Sequence, residues 1–251
     1  MYVKKIFYLV ACCLVIGACS KKDPILPGDR TPVFATGEIV VKNKAIPDGM
    51  IAMQATGSTP PTSAFIQDAD NIIWEIPTVG DKRRVFSGLP TTSRVNIERV
   101  PAYANGFVYA GLSTGELVKV NVRTRQLVWI ADIFKESALT GGASLLDIVA
   151  PVQIVGNAVY VGGLGDAMCR VRDRDGHKVW CNPIGVGVPF VVAGEVVFVV
   201  ATDGHLYAIN ASDGAIFWRT RVARQSAPVL SDDMIITVGR ERFKATDGNK
   251  I

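Results

Sequence analysis

The chain has 251 residues, 49% of them hydrophobic, which is enough for one ordinary domain with a sizeable core. Lys and Arg number 27 against 23 Asp and Glu, a formal charge of +4. So small a surplus offers no field that would gather nucleic acid, and that class of partner is excluded.

Lys4 and Lys5 precede an almost unbroken apolar stretch from Ile6 to Ala18, the charged and apolar regions of a secretory signal. The stretch is too short for a bilayer core, which needs about 20 residues. It ends in Ile16-Gly17-Ala18-Cys19, which resembles the lipobox of bacterial lipoproteins. The resemblance implies a signal peptide over 1–18 and lipid attachment at Cys19, with several acyl chains giving firm anchoring. Ser20 rather than Asp after the cysteine implies sorting to the outer membrane. The alternative is a plain secretory signal cut elsewhere. Cys12 and Cys13 leave with the signal, so Cys169 and Cys181 remain as the unmodified thiols. Residues 19–66 read as a lipidated flexible tether, with Pro24, Pro27, Pro32 and Pro47 and the polar run Ala55 to Ser63. A weak strand, Gly37 to Lys42, interrupts it and is free to pack on the body.

From residue 67 to 251 the pattern is all-β and repetitive. Asn71 to Ile76 has the character of the final strand of a repeat, ending near Trp74. Phe107 to Trp129, Ala158 to Trp180 and Glu195 to Trp218 then repeat one plan of three short β-rich runs separated by turns. The clearest copy carries Asp203-Gly204 and Asp213-Gly214, strong hairpin signals, whereas Arg125 stands where the first copy should have glycine. Met234 to Ile251 begins a fourth copy and stops before its tryptophan. Trp129, Trp180 and Trp218 are spaced at about the length of a four-stranded propeller blade, roughly 40 to 50 residues. No segment shows the helical period of a bundle, and Glu136 to Leu146 reads as a long loop. The expected fold is a β-propeller with three complete blades and a fourth closed by the strand at Asn71 to Ile76, which would remove exposed sheet edges.

Chemistry is sparse. His177 and His205 lie beside hairpin turns and read as solvated strand-end residues. Gly162-Gly163-Leu164-Gly165 follows a strand but precedes no helix, so it is a turn and not a phosphate cradle. Asp173, Asp175, Asp203, Asp213 and Asp247 occupy turns, which explains them. Cys169 and Cys181 flank the turn at Asp173 to Gly176 on facing strands; a disulfide in an oxidising periplasm and two buried thiols both remain open.

The run Leu206 to Trp218 resembles the repeat of quinoprotein-type (PQQ-like) propellers, whose tryptophan docks between neighbouring blades. The resemblance gives Trp74, Trp129, Trp180 and Trp218 a structural docking role. Full-length relatives usually carry eight blades, so the alternative fold is a fragment of an eight-bladed propeller. Quinoprotein dehydrogenases hold their quinone over an adjacent-cysteine disulfide, and the only adjacent pair here, Cys12-Cys13, leaves with the signal. Repeat resemblance does not confer a cofactor, and none is expected. Lipobox, tether and repeats together look like the BamB-like family of outer-membrane assembly lipoproteins. That likeness extends to Ile25-Leu26-Pro27-Gly28 and Arg30. It implies a periplasm-facing, lipid-anchored, non-enzymatic scaffold that docks the barrel-inserting subunit of the β-barrel assembly machinery and presents unfolded outer-membrane proteins. In the family an arginine shortly before Ser-Ala-Pro contacts the partner; Arg224-Gln225-Ser226-Ala227-Pro228 matches, which makes Arg224 the binding residue to test. Another ligand- or protein-binding propeller, or a degenerate quinoprotein dehydrogenase, are the other two classes.

Overall fold

The computed structural model describes residues 39–52, 63–91, 95, 99–134, 146–165 and 167–251. The expected signal, Cys19, the motif at Ile25 to Arg30 and most of the loop at 136–146 lie outside them.

Within the described residues the regular structure is β-strand, in five antiparallel sheets whose strands pair only with their neighbours in sequence. The first sheet holds β1 (Ser63–Gln67), β2 (Ile72–Pro77) and β3 (Arg83–Ser87). The second holds β4 (Ala102–Ala104), β5 (Phe107–Gly111), β6 (Glu116–Asn121) and β7 (Gln126–Asp132). The third holds β8 (Gln153–Val155), β9 (Ala158–Gly163), β10 (Ala167–Arg172) and β11 (Lys178–Asn182). The fourth holds β12 (Val191–Ala193), β13 (Val196–Val200), β14 (His205–Asn210) and β15 (Ile216–Arg221). The fifth holds β16 (Pro228–Leu230), β17 (Ile235–Val238) and β18 (Glu241–Lys244).

A meander of short strands cannot bury both of its faces alone, so neighbouring sheets stack. Side chains alternate along a strand, and each inner sheet therefore feeds two apolar seams. In β13, Val197 and Val199 join Tyr160, Met168 and Trp180 of the third sheet, whereas Val196, Phe198 and Val200 join Ile236, Val238 and Phe243 of the fifth. Burial on both faces explains why Val196 to Val200 is apolar without interruption. Tyr109, Leu117 and Trp129 meet Val159, Cys169 and Val171 in the seam between the second and third sheets. Phe65, Ile73 and Val85 meet Val108, Val118 and Val120 between the first and second. At about 1.5–3 kcal/mol for each large apolar side chain removed from water, these seams are the main stabilising term.

The propeller class and the three four-stranded blades stand, but the expected closing strand does not. Asn71 to Ile76 does not complete the last blade: β2 lies in the middle of its own sheet, between β1 and β3. The register shows why. In the second, third and fourth sheets the pairing slips by one residue just past the partner of the tryptophan, at Lys119/Val120, Arg170/Val171 and Ala208/Ile209. In the first sheet the slip falls at Ile73/Trp74, so Ile73 faces Phe86 across it and Phe86 holds the tryptophan's place. The Gly88 N–H to Asn71 carbonyl bond likewise repeats Ile133 to Gly115 and Val222 to Gly204. β1 to β3 are thus the second, third and fourth strands of a blade. The last sheet instead gains a bridge from its own chain, Phe243 to Lys250.

The span 19–66 is not tether throughout, since β1 begins at Ser63 and residues 39–52 are built into the body. Val41 bridges Ile216 in parallel. The N–H groups of Lys42 and Lys44 donate to the carbonyls of Ile216 and Phe217 at 3.0 and 2.8 Å, and Ile46 N–H donates to Thr246 at 2.8 Å. Met50 accepts from Glu195 N–H at 2.8 Å, and the buried Ile46 and Ile51 enter the seam between the fourth and fifth sheets. This strap satisfies part of the free edge of β15 and ties two blades across their joint.

Candidate docking surface

The seams fix where each turn is held. Trp129, on β7, donates its indole N–H to the Asp173 carbonyl of the next blade at 2.8 Å, and Trp180, on β11, donates to Ala211 at 3.0 Å. Each ring lies flat against the turn glycine there: a Cβ on Gly176, Gly214 or Gly248 would come within 2.9, 2.8 or 2.5 Å of the ring of Trp129, Trp180 or Trp218. All three glycines also have positive φ, so two demands converge on the same residue. Trp218 is buried in the same way, although its indole nitrogen has no hydrogen-bond partner among the described residues.

Trp74 is not a fourth docking residue. Its indole N–H goes to Asp68 within its own sheet at 2.8 Å, and Lys82 Nζ sits 4.5 Å from its ring. Burial would raise the Asp68 carboxyl, but the Trp74 N–H, the Ile72 and Asp70 amides and Lys82 hold it below its ordinary value. The blade that Trp74 was expected to reach carries Arg125 in the glycine position, with φ +57°. Phe86 packs into that seam instead.

Two polar clusters that the sequence reading missed lie between blades. Lys119, almost fully buried, bonds the Asp173 carboxylate at 2.8 Å and its carbonyl at 3.1 Å, between the rings of Phe107 and Tyr109. The Tyr109 hydroxyl donates to the same carboxylate, and burial, then this hydrogen bond, pushes its pKa far up. At the opposite end of the blades, Arg99 Nη2 bonds Asp147 Oδ1 at 2.7 Å, with side-chain exposures of 7% and 0%. Asp147 also accepts from the Val95 amide. Neither cluster carries a sequence signal, because each is made by residues more than one blade-length turn apart.

Cys169 faces Cys181 directly across β10 and β11, and the two are joined as a disulfide. The bridge ties the strand that carries Trp180 to the strand behind it. Removing it with Cys181→Ser is expected to cost about 2–4 kcal/mol, from the entropy of closing so short a loop, read as a fall in denaturation midpoint. A variant as stable as the parent, or free thiols by non-reducing peptide mapping, would sink the assignment. His177 is exposed at its turn, and His205 Nδ1 lies 3.3 Å from Asp203 Oδ2. Among the described residues no group of three or more His, Cys, Asp or Glu could hold a metal ion.

Arg224 lies in the connection from β15 to β16 and is exposed. The loop around it is pinned on both sides. Ala223 N–H donates to Glu241 Oε2 at 2.6 Å, and Gln225 Nε2 donates to the Thr202 carbonyl at 2.7 Å. Glu241 is held below its ordinary pKa by the Ala223 amide first and by Lys250 second, so it is charged and able to grip the loop at neutral pH. A guanidinium on a restrained loop loses less freedom when it binds, which suits a docking residue.

The family model for outer membrane protein assembly factor BamB matches residues 33–180 and, a second time, residues 167–250. The chain belongs to the BamB family. BamB of Salmonella typhimurium is 28% identical over 121 residues, 48% of this chain and 31% of that protein. The chain spans about a third of the length of the curated BamB relatives it matches. The crystal structure of BamB from Moraxella catarrhalis aligns with 77% of this chain and 58% of its own, with a TM-score of 0.51 and 18% identity. A quinohemoprotein alcohol dehydrogenase from Pseudomonas putida HK5 aligns with 82% of this chain and 42% of its own, at TM-score 0.56 and 12% identity. At such identities the likeness is one of fold.

Proposed function

We propose that this chain is a non-enzymatic lipoprotein scaffold for outer-membrane protein assembly. In this reading residues 1–18 direct export, Cys19 carries the lipid, and the body faces the periplasm. There it docks the barrel-inserting subunit of the β-barrel assembly machinery and helps to present unfolded outer-membrane proteins. The observation that supports it most is the family match across the described blades. The pinned loop at Arg224 supplies a site, and no catalytic residue or cofactor is assigned.

The test is affinity purification of the tagged lipoprotein from native envelopes in mild detergent. The barrel-inserting subunit is expected in near-stoichiometric amount, and Arg224→Glu is expected to lower its recovery about tenfold or more without changing the melting temperature. Undiminished recovery with Arg224→Glu would remove that residue from the site. Failure of the parent protein to bring down the subunit would remove the scaffold role.

A further inference from the structure

The turns joining the third and fourth strands of each blade all lie at one end, opposite the Arg224 loop. Each stacks on the tryptophan of the preceding blade in the third, fourth and fifth sheets. The strap runs along this same end: Val41 meets the start of β15, and Ile46 meets the fifth sheet's turn at Thr246. The strap runs parallel to β15, so its first described residues, Ile39 and Val40, also lie at this end, ahead of the Val41–Ile216 bridge.

The turns of the first two sheets differ from the others. Lys82, Arg83 and Arg84 of the first and Arg123 and Arg125 of the second are all exposed. Among the described residues none of Arg83, Arg84, Arg123 and Arg125 forms an ion pair. The acids beside them are Asp81 and Glu75, and Glu75 accepts from Ser63 Oγ at 2.9 Å. In the third sheet, by contrast, Arg172 and Arg174 are neutralised by Asp175. Aliphatic side chains stand among the cations: Val79, at the tip of the first turn, is 84% exposed, and Leu127 and Val128 are each 44% exposed.

We propose that this end of the first two blades rests on an anionic phospholipid surface, with Val79 entering the interface and the arginines meeting headgroup phosphates. A cationic rim around a protruding aliphatic tip matches that boundary, where charge and apolar matter lie side by side. An acidic protein would match the charge but would leave Val79 unused. The strap, which begins at the same end, points the same way. The inference rests on the reading of a membrane-tethered body and is independent of Arg224, which would then be presented away from the membrane.

The test compares two single reporters in the full chain, Val79→Trp at the proposed contact and Arg240→Trp at the opposite end, on vesicles containing brominated phosphatidylglycerol. The expected result is at least twofold stronger quenching at position 79. That excess should disappear in about 0.5 M salt, where screening is short-ranged, and in the background Arg123→Glu with Arg125→Glu. Equal quenching at the two positions, stronger quenching at 240, or an undiminished excess on neutral phosphatidylcholine would overturn the proposal. So would a spectral change at 79 that follows added polyglutamate and not vesicles, which would assign the surface to an acidic protein. Failure of co-purification with the barrel-inserting subunit would leave the quenching result untouched, so the two readings fail separately.

Discussion

Replacing Trp180 with alanine is expected to lower the free energy of unfolding by about 3–5 kcal/mol, the usual cost of emptying a buried aromatic site. The ring is 9% exposed, it packs on Gly214 and lies 6.3 Å from Tyr160, and its N–H is satisfied by Ala211. Truncation removes apolar contact from two blades at once and leaves the Ala211 carbonyl without its partner. Since total stability is about 5–15 kcal/mol, the loss would be a large share of it. Guanidinium denaturation followed by near-UV circular dichroism reads it. A loss of under about 1 kcal/mol would show that the neighbouring blades close over the gap, and that the ring is filler where we read it as the key to the seam.

Asp147→Ala is expected to destabilise by a similar amount, about 3–5 kcal/mol, for a different reason. The substitution leaves the Arg99 guanidinium in the protein with its charge uncompensated, and an orphaned buried ion costs more than its pair contributes. Both side chains are nearly inaccessible, and Arg99 Nε already lacks a partner among the described residues. The discriminating measurement is the double variant Arg99→Met with Asp147→Leu, which is expected to regain most of the lost stability in the same denaturation assay. If the double variant is as unstable as Asp147→Ala, the contribution lies in the Asp147 bond to the Val95 amide and not in the ion pair.

The seams were legible in the sequence because their determinants recur: Trp180 with Gly214 and Trp129 with Gly176 are the same pair of residues one repeat apart. The first blade was misread for a related reason. Trp74 invited alignment with the other tryptophans, yet the slip in register puts Phe86 in that place. A phenylalanine at an outer strand carries no distinctive spacing. Trp74, on the third strand of its blade, turns its indole to Asp68 within the same sheet, which could be seen only once the register was known. Lys119 with Asp173 and Arg99 with Asp147 join residues from different repeats, and one sequence has no signal that couples them. The strap was legible only as a weak strand in a proline-rich stretch, because what holds it is largely backbone hydrogen bonding, which side-chain pattern does not report.

The strap also sets an order of events. Its partners, Ile216, Phe217 and Thr246, are synthesised long after the strap itself. Between the strap and Thr246 lie the strands of all five sheets, so this contact has a very high sequence separation and closes late and slowly. The blades can collapse one after another as they emerge, but the joint between the fourth and fifth sheets stays unbraced until the turn at Thr246 has arrived.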